Sequence, residues 1–303
     1  MFMKKSLLFV VVVTLLSAFT QVFAQDPAMQ GPPKVLYIVR EDIKPGLMEV
    51  HSKHSASFAS IFRALGTPNY RIALVPVAGS ENEVVYITGA DSFKELEEIL
   101  NGTDKKMSAV SSSTKAELDR LNKEAPLLHA AMRDMFAAFR PELSFNSGVD
   151  IRGMRYFSIT TVRVKPGHDA QYVDYVTKMV NVARQKAKLD NLHIAAFQVI
   201  TGTQAGTYMF FRPMKSLADL DENTGMKMRA AMSDDTKKDA DKAASDAIMS
   251  SENSTYWMTP ARSYVEKDFA AGDPTFWNPK PMMAKPKPRK KITKPVAPPP
   301  PTD

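Results

Sequence analysis

A segment of this chain occurs twice, and the repeat constrains the fold more than any other feature. Val39–Gly46 ends in Lys-Pro-Gly, and the same tripeptide ends Thr160–Gly167, 121 positions later. Three further residues return 119 positions later in similar form: Pro141, Ser144 and Phe145 become Pro260, Ser263 and Tyr264. A nearly constant offset over a whole segment indicates two copies of one unit. We therefore predict a monomeric pseudo-dimer, in which two similar halves fold against each other.

The N-terminus has the organisation of a secretory signal peptide. Lys4 and Lys5 precede an apolar run over Leu7–Leu16, and small residues flank a predicted cleavage site after Ala24. The run is shorter than the roughly 20 residues that a membrane-spanning helix needs. We predict that residues 1–24 are removed on export, that residues 25–33 form a polar linker, and that the mature protein is periplasmic or secreted. A retained N-terminal anchor is the alternative.

Composition excludes several classes of site. The chain has no cysteine, so disulfides, thiolate nucleophiles and cysteine-bound metals are excluded. Residues 271–303 are predicted to form a disordered tail, because prolines and lysines dominate there and cannot build a core. Seven basic residues between Lys280 and Lys294, together with the leader lysines, more than account for the formal net charge of +7. The folded part is then nearly neutral, and we predict no binding to nucleic acid.

Apolar periodicity and turn residues predict the elements of a first unit, residues 34–148. Strands are predicted over Val35–Ile43, Tyr70–Val77, Glu83–Thr88 and Glu142–Asn146. Helices are predicted over Leu47–Leu65, over Ser92–Leu100 and over residues 114–139, with Pro126 beginning a new helix or kinking the last one.

The second unit, residues 149–270, follows the same order. Strands are predicted over Arg155–Val164, Leu192–Ile200, Thr207–Phe211 and Arg262–Val265, and helices over Ala170–Lys186, Ser216–Asp221 and residues 226–258. Each unit then has the order β-α-β-β-α-β, which is the ferredoxin-like split βαβ pattern.

The first strands of the two units predict how the units pack. One face is apolar in both, with Leu36 and Ile38 matched by Phe157 and Ile159, whereas the face carrying Tyr37 is more mixed. A four-stranded sheet with helices on one face needs cover on the other, and the sister sheet supplies it. We predict an α+β fold in which two tandem ferredoxin-like units pack face to face or close into an intramolecular α+β barrel, with helices outside.

A tandem pair of such units, with Lys-Pro-Gly leading into the first helix of each, resembles the dimeric α+β barrel superfamily. Within that superfamily it is similar in style to the antibiotic-biosynthesis-monooxygenase-like and NIPSNAP-like domains, and the resemblance covers residues 34–267. It implies a ligand pocket between sheet and helices. It does not choose a function, since this fold hosts cofactor-free oxygenation, haem degradation, peroxidation, isomerisation and plain ligand binding. The chain has no complete catalytic signature of any one branch, and no cofactor is assigned.

His51 and His54 are the sharpest local feature. They are three residues apart on the first helix, where His54 falls on the apolar stripe and His51 borders it. Their counterparts in the second unit are Tyr172 and Tyr175. One reading is a pocket in which His54, then His51, acts as base or ligand, while Tyr172, Tyr175 and Tyr37 contact the bound molecule. The other is that they are partly exposed or hydrogen-bonded core residues, and this second reading is favoured.

A metal site is not predicted. The two histidines lack the glutamate and spacing of a His-Glu-x-x-His motif, and His129, His168 and His193 are not at ligand spacing along the chain. Arg40, Arg71 and Arg212 either clamp an anionic ligand or lie in solvent at sheet edges or strand ends, and the second is favoured.

Two functions remain open from the sequence. The first is an exported small-molecule-binding α+β barrel protein, with oxygenase-like or haem-related activity implied by the resemblance alone. The second is a non-catalytic cell-envelope scaffold, whose basic tail over residues 280–294 binds an anionic surface. The partner is a small-molecule ligand in the first case and the envelope in the second.

Overall fold

A computed structural model describes residues 31–278 of the chain. The predicted leader (1–24), most of the predicted linker (25–33) and the tail from residue 279 lie outside the described residues. Within 31–278, no helix is both long enough and apolar enough to cross a membrane.

The first half of the described chain contains four strands and three helices. They are β1 (Val35–Ile43), α1 (Met48–Leu65), β2 (Ile72–Ala78), β3 (Glu83–Ala90), α2 (Phe93–Ser108), α3 (Ser112–Leu128) and β4 (His129–Phe139). A short 3-10 turn, Pro141–Leu143, follows β4.

The second half follows a similar order. It comprises β5 (Tyr156–Val164), α4 (Asp169–Asp174), a π-helical turn (Tyr175–Val180), α5 (Asn181–Lys186), β6 (Ala195–Thr201), β7 (Thr207–Met214), a 3-10 turn (Leu217–Leu220), α6 (Thr224–Ala230), α7 (Asp234–Ala247) and β8 (Ile248–Met258). Two short helices, α8 (Lys267–Ala271) and α9 (Pro274–Trp277), close the described region.

The eight strands form one closed antiparallel barrel in the order β1-β3-β2-β8-β5-β7-β6-β4. The four strands of each half are contiguous, and the halves meet at two seams, β2 with β8 and β4 with β6. Leu36, Ile38, Phe157 and Ile159, which the sequence placed on a shared apolar face, are buried in the main core inside the barrel. Of the two predicted packings, the closed barrel is therefore the one observed.

The repeated Lys-Pro-Gly has the same backbone role in both halves. A β-bulge interrupts β1 between Asp42 and Ile43, and another interrupts β5 between Arg163 and Val164. The glycines that follow have φ values of +81° at Gly46 and +82° at Gly167. Only glycine adopts this left-handed region at little cost, so the tripeptide makes the same turn from strand into helix in each half.

The last strand of each half was predicted in the wrong place. The predicted helix over 114–139 ends at Leu128, and the helix over 226–258 ends at Ala247, because the residues after each form β4 and β8. Glu142–Asn146 and Arg262–Val265 contribute only isolated bridges, at Phe145 and Tyr264. The alanine- and methionine-rich β4 has helical propensity, but pairing with β1 and β6 on its two edges overrides it.

The start of the predicted tail packs against the body. Trp277 is buried, its indole Nε1 donates to the carbonyl oxygen of Arg152 at 2.8 Å, and its ring lies 5.1 Å from that of Phe269. The indole therefore fastens α9 beside one end of the barrel. The predicted unit boundary at residue 270 falls four residues before α9 begins.

Candidate functional site

The inward face of α1 carries both predicted histidines. Its buried residues are His51, His54, Ser55, Ala59 and Phe62. His51 is fully buried and His54 is 6% exposed. Both rings therefore lie between the helix and its neighbours, and each polar nitrogen there needs a partner.

His51 has a carboxylate partner on the outer face of the barrel. Its Nε2 lies 2.8 Å from Oε2 of Glu41, which precedes the bulge of β1 by one residue. Burial raises the pKa of Glu41, but the hydrogen bond and charge of His51 more than offset this and hold the pKa below its usual range. The carboxylate is thus ionised and faces the imidazole.

His129 completes a cluster that local sequence patterns did not reveal. It is the first residue of β4 and pairs with Ile43, and its Nε2 lies 3.6 Å from the same Oε2 of Glu41. Its ring centroid is 5.2 Å from that of His51. Burial lowers the pKa of His129, which favours the neutral imidazole. We call Glu41, His51 and His129 the histidine–glutamate cluster.

His54 is engaged elsewhere. Its Nε2 donates to the carbonyl oxygen of Leu121 in α3 at 2.9 Å, and its ring packs against Phe58 at 5.2 Å. The hydrogen bond ties α1 to α3. His54, the first-ranked catalytic prediction, is therefore placed to hold the two helices together beside the cluster.

Two further groups border the cluster. The guanidinium of Arg71 lies 4.7 Å from the ring centroids of both Phe62 and Tyr86, so it is stacked under α1 and not in solvent as the sequence favoured. Burial lowers the pKa of Arg71, and burial raises that of Tyr86. A partly buried cation therefore lies close enough to Glu41 to help keep its pKa low.

The second half has no such cluster. Shifting by the repeat offsets replaces Glu41 by Val162, His51 by Tyr172 and His129 by Ile248. Tyr172 is buried, with its ring 5.1 Å from that of Tyr208 and 6.3 Å from that of Tyr175. Burial raises the pKa of Tyr172 well above its usual value. The tyrosine pair is part of an aromatic core.

Tyr37 lies in a third place. Its hydroxyl donates to Oδ2 of Asp134 at 3.0 Å, and its ring packs 5.5 Å from Phe136 in the apolar contact under α2. Burial, followed by the charge of Asp134, raises the pKa of Tyr37 to about 12. The five predicted site residues are thus spread over three places: beneath α1, beneath α4 and beneath α2.

A separate apolar cavity opens at one mouth of the barrel. Its volume is about 350 Å³. The walls are inward-facing strand residues: Leu36, Ile72, Ile87, Phe157, Phe197, Phe211 and Pro213. Tyr70, Arg71, Asp150, Arg152, His193 and Glu266 supply polar groups around it. None of the five predicted site residues lines this cavity. The signal that could have found it was the apolar face shared by Leu36 and Phe157.

The histidines do not fit a haem group. An axial imidazole needs a free nitrogen facing open space for the porphyrin, whereas Nε2 of His51 faces Glu41 at 2.8 Å and Nε2 of His54 faces Leu121 at 2.9 Å. Both rings are buried, and His129 packs beside them. The haem interpretation of these residues is therefore not supported.

No family model matches this sequence, and no curated protein matches it. Solved structures with a similar fold include an anthrone oxidase-like protein (11% identity, 74% of this chain and 91% of that chain, TM-score 0.46). They also include a chlorite dismutase variant from Candidatus Nitrospira defluvii in complex with cyanide (10%, 78% and 95%, 0.44) and a heme-binding protein from Thermus thermophilus (8%, 77% and 97%, 0.41). The structural neighbours are thus monooxygenase-like and chlorite dismutase-like α+β barrel proteins, and at these identities they assign no activity to this chain.

Proposed function

We propose that this chain is an exported, small-molecule-binding α+β barrel protein that holds an organic ligand in the mouth cavity. The observation that carries the proposal is the cavity itself. Its volume of about 350 Å³ and its mainly apolar wall with a few polar groups are typical of ligand pockets. The predicted signal peptide supports the exported part of the proposal.

The shape of the wall favours a ligand with an apolar ring or chain. Phe157 and Phe197 each present a ring perpendicular to that of Phe211, at centroid distances of 6.2 and 5.6 Å. Such edge-to-face arrangements leave flat aromatic surfaces that stack on apolar rings. The polar groups near the opening suit one hydrogen-bonding end of the ligand. If the protein is an enzyme, the proposed reaction is oxygenase-like turnover of the bound molecule. Oxygen uptake by the ligand-loaded protein would measure that reaction.

We also infer that the two halves derive from one duplicated ferredoxin-like unit and that the mature protein is a monomeric pseudo-dimer. The support is the common strand order of the halves, the β-bulges 121 positions apart, and the matching glycine turns that follow them. A closed barrel built from one chain leaves no sheet edge that a second chain must cover.

Filling the cavity is expected to abolish ligand binding. Ala195 lies on β6 opposite Phe211 and lines the cavity, so Ala195→Phe places a ring in the space that the ligand would occupy. Native mass spectrometry of the mature protein, purified gently from an exporting bacterial host, is expected to show an organic adduct on the wild type. The adduct should fall about tenfold or more in the variant, the change that a loss of about 1.4 kcal/mol produces.

The matched control is Ile200→Phe, which adds a ring at a position of the same strand that is 57% exposed. It should leave the adduct unchanged. If no adduct is found, fluorescence titration with 1-anilinonaphthalene-8-sulfonate replaces it as the probe. Failure of the wild type to bind either, or equal binding by Ala195→Phe, would contradict the ligand-binding function.

The basic tail favours a second function, that of an envelope scaffold. A lysine or arginine near an anionic membrane surface contributes about 1 kcal/mol, so the seven basic residues from Lys280 to Lys294 would together hold the protein firmly. Deleting 280–303 is expected to release the protein from the envelope fraction in moderate salt. A second variant, with glutamine at all seven basic positions, keeps the length of the tail but removes its positive charge, so it tests the charge alone. Unchanged fractionation of both variants would rule out the scaffold role.

A further inference from the structure

We propose that Glu41, His51 and His129 form a binding site for one divalent transition-metal ion, held between α1 and the outer face of the barrel. One ligand atom from each residue lies within 4.8 Å of the others. Two imidazoles and one carboxylate are a donor set that suits Zn²⁺ and Fe²⁺. None of the three proposed ligands lines the mouth cavity, so the metal site is distinct from the proposed ligand pocket.

The distances already approach those of a metal site. Ligand atoms about 2.0–2.1 Å from a tetrahedral Zn²⁺ are about 3.4 Å apart. Oε2 of Glu41 lies 2.8 Å from Nε2 of His51 and 3.6 Å from Nε2 of His129. Small side-chain movements would therefore admit the ion, with the hydrogen bond from His51 to Glu41 replaced by two bonds to the metal.

The nitrogens of the cluster are incompletely satisfied without an ion. Among residues 31–278, Nε2 of His129 and Nδ1 of His51 are buried and have no hydrogen-bond partner. A buried polar atom without a partner costs about 1–3 kcal/mol. Coordination would satisfy Nε2 of His129 directly. A nitrogen that binds a metal cannot carry a proton, so the proton of the bound His51 imidazole would lie on Nδ1.

Three different elements fix the ligands. Glu41 precedes the bulge of β1, His51 lies in α1, and His129 begins β4 immediately after α3. The hydrogen bond from His54 to Leu121 joins α1 to α3, so His54 is a positioning residue for this site. Such rigid support lets three ligands hold a metal while a fourth position stays open.

The surrounding charge determines what the fourth ligand would be. Arg71 is partly buried beside the cluster, and the buried Arg262 also interacts electrostatically with Glu41. These cations oppose a bare dication, because a divalent ion with one carboxylate keeps a positive charge. An anionic fourth ligand, such as hydroxide or a carboxylate, removes that repulsion. We therefore expect the site to bind the metal most tightly in the presence of a small anion.

The test uses the full mature protein, stripped of metal with a chelator and titrated with ZnCl₂ by isothermal calorimetry. One equivalent is expected to bind. Glu41→Gln and His129→Gln should each weaken binding at least about 10-fold, the loss typical when a group that supports the metal is removed. The control is His168→Gln, whose histidine precedes α4, lies outside both the cluster and the mouth cavity, and has its Nδ1 2.8 Å from Oε1 of Gln171. It should bind as the wild type does.

A second measurement uses only wild-type protein, so it tests the proposal even if one of the variants fails to fold. In wild-type protein labelled with ¹⁵N-histidine, Zn²⁺ should shift the Nε2 resonances of two of the five histidines and leave the other three unchanged. Substituting Co²⁺ should give visible absorption of a four-coordinate site. Absence of stoichiometric binding, or shifts at histidines other than His51 and His129, would overturn the proposal.

Discussion

An Arg40→Ala variant is expected to lose about 3 kcal/mol of unfolding free energy, because it leaves a carboxylate unpaired inside the barrel. Nε and Nη2 of Arg40 donate to the two oxygens of Glu83, each at 2.7 Å. The hydroxyl of Tyr256 donates to the same carboxylate at 2.5 Å. Glu83 is only 2% exposed, so little solvent is in contact with the carboxylate to stabilise its charge. Thermal unfolding should shift down by about 6–12 °C for a domain of this size.

Two controls separate an unpaired charge from lost packing. Arg133 also approaches Glu83, at 3.9 Å, but its side chain is 54% exposed, so Arg133→Ala should cost less than about 1 kcal/mol. In the double variant Arg40→Met, Glu83→Gln the charge is removed with its partner, and most of the stability should return. Equal effects of Arg40→Ala and Arg133→Ala would show that the barrel interior does not depend on this pair.

The sequence predicted the elements that local pattern determines. β1 and β5 are rich in β-branched and aromatic residues and end at Lys-Pro-Gly, and their shared apolar face correctly indicated the interior of a barrel. β4 and β8 were missed, since neither alternates cleanly and each continues directly from a helix. Their strand state depends on partners distant in sequence, such as Ile38 opposite Met135, and no window along the chain contains that information.

In the candidate sites, too, local sequence pattern accounts for some residues, whereas others come together only in the folded chain. The burial of His51 and His54 on one helix side follows from the apolar stripe of α1, whereas their catalytic role stays a prediction. Glu41 was accessible from the sequence: on a strand face where the second half has Val162, a carboxylate is unusual. His129 was not, because it reaches Glu41 only once β4 pairs with β1. The mouth cavity required the closed barrel, which brings walls from both halves together.

A Gly202→Ala variant is expected to be among the least stable single substitutions in this protein. Gly202 follows β6 and has a φ of +96°, and an added Cβ would lie 2.0 Å from the carbonyl oxygen of Asp134 and 2.6 Å from Cα of Met135. These are backbone atoms of β4, so they cannot rotate away as a side chain would. Relief requires β6 to move away from β4, and we expect a loss on the order of 4 kcal/mol.

Two glycine controls divide that loss into its causes. Gly46→Ala has a similar φ of +81° but meets nothing within 4 Å, so it measures the left-handed backbone alone, about 1–2 kcal/mol. Gly148→Ala has neither feature and should change stability by less than about 0.5 kcal/mol. Chemical denaturation of the three variants gives the comparison. If Gly202→Ala loses no more unfolding free energy than Gly46→Ala, then β4 and β6 move apart at little cost to accommodate the added Cβ. A larger loss would show that the close approach of Gly202 to the backbone of β4 helps to hold the two halves in one closed barrel. The mouth cavity depends on that closure, because its walls come from both halves.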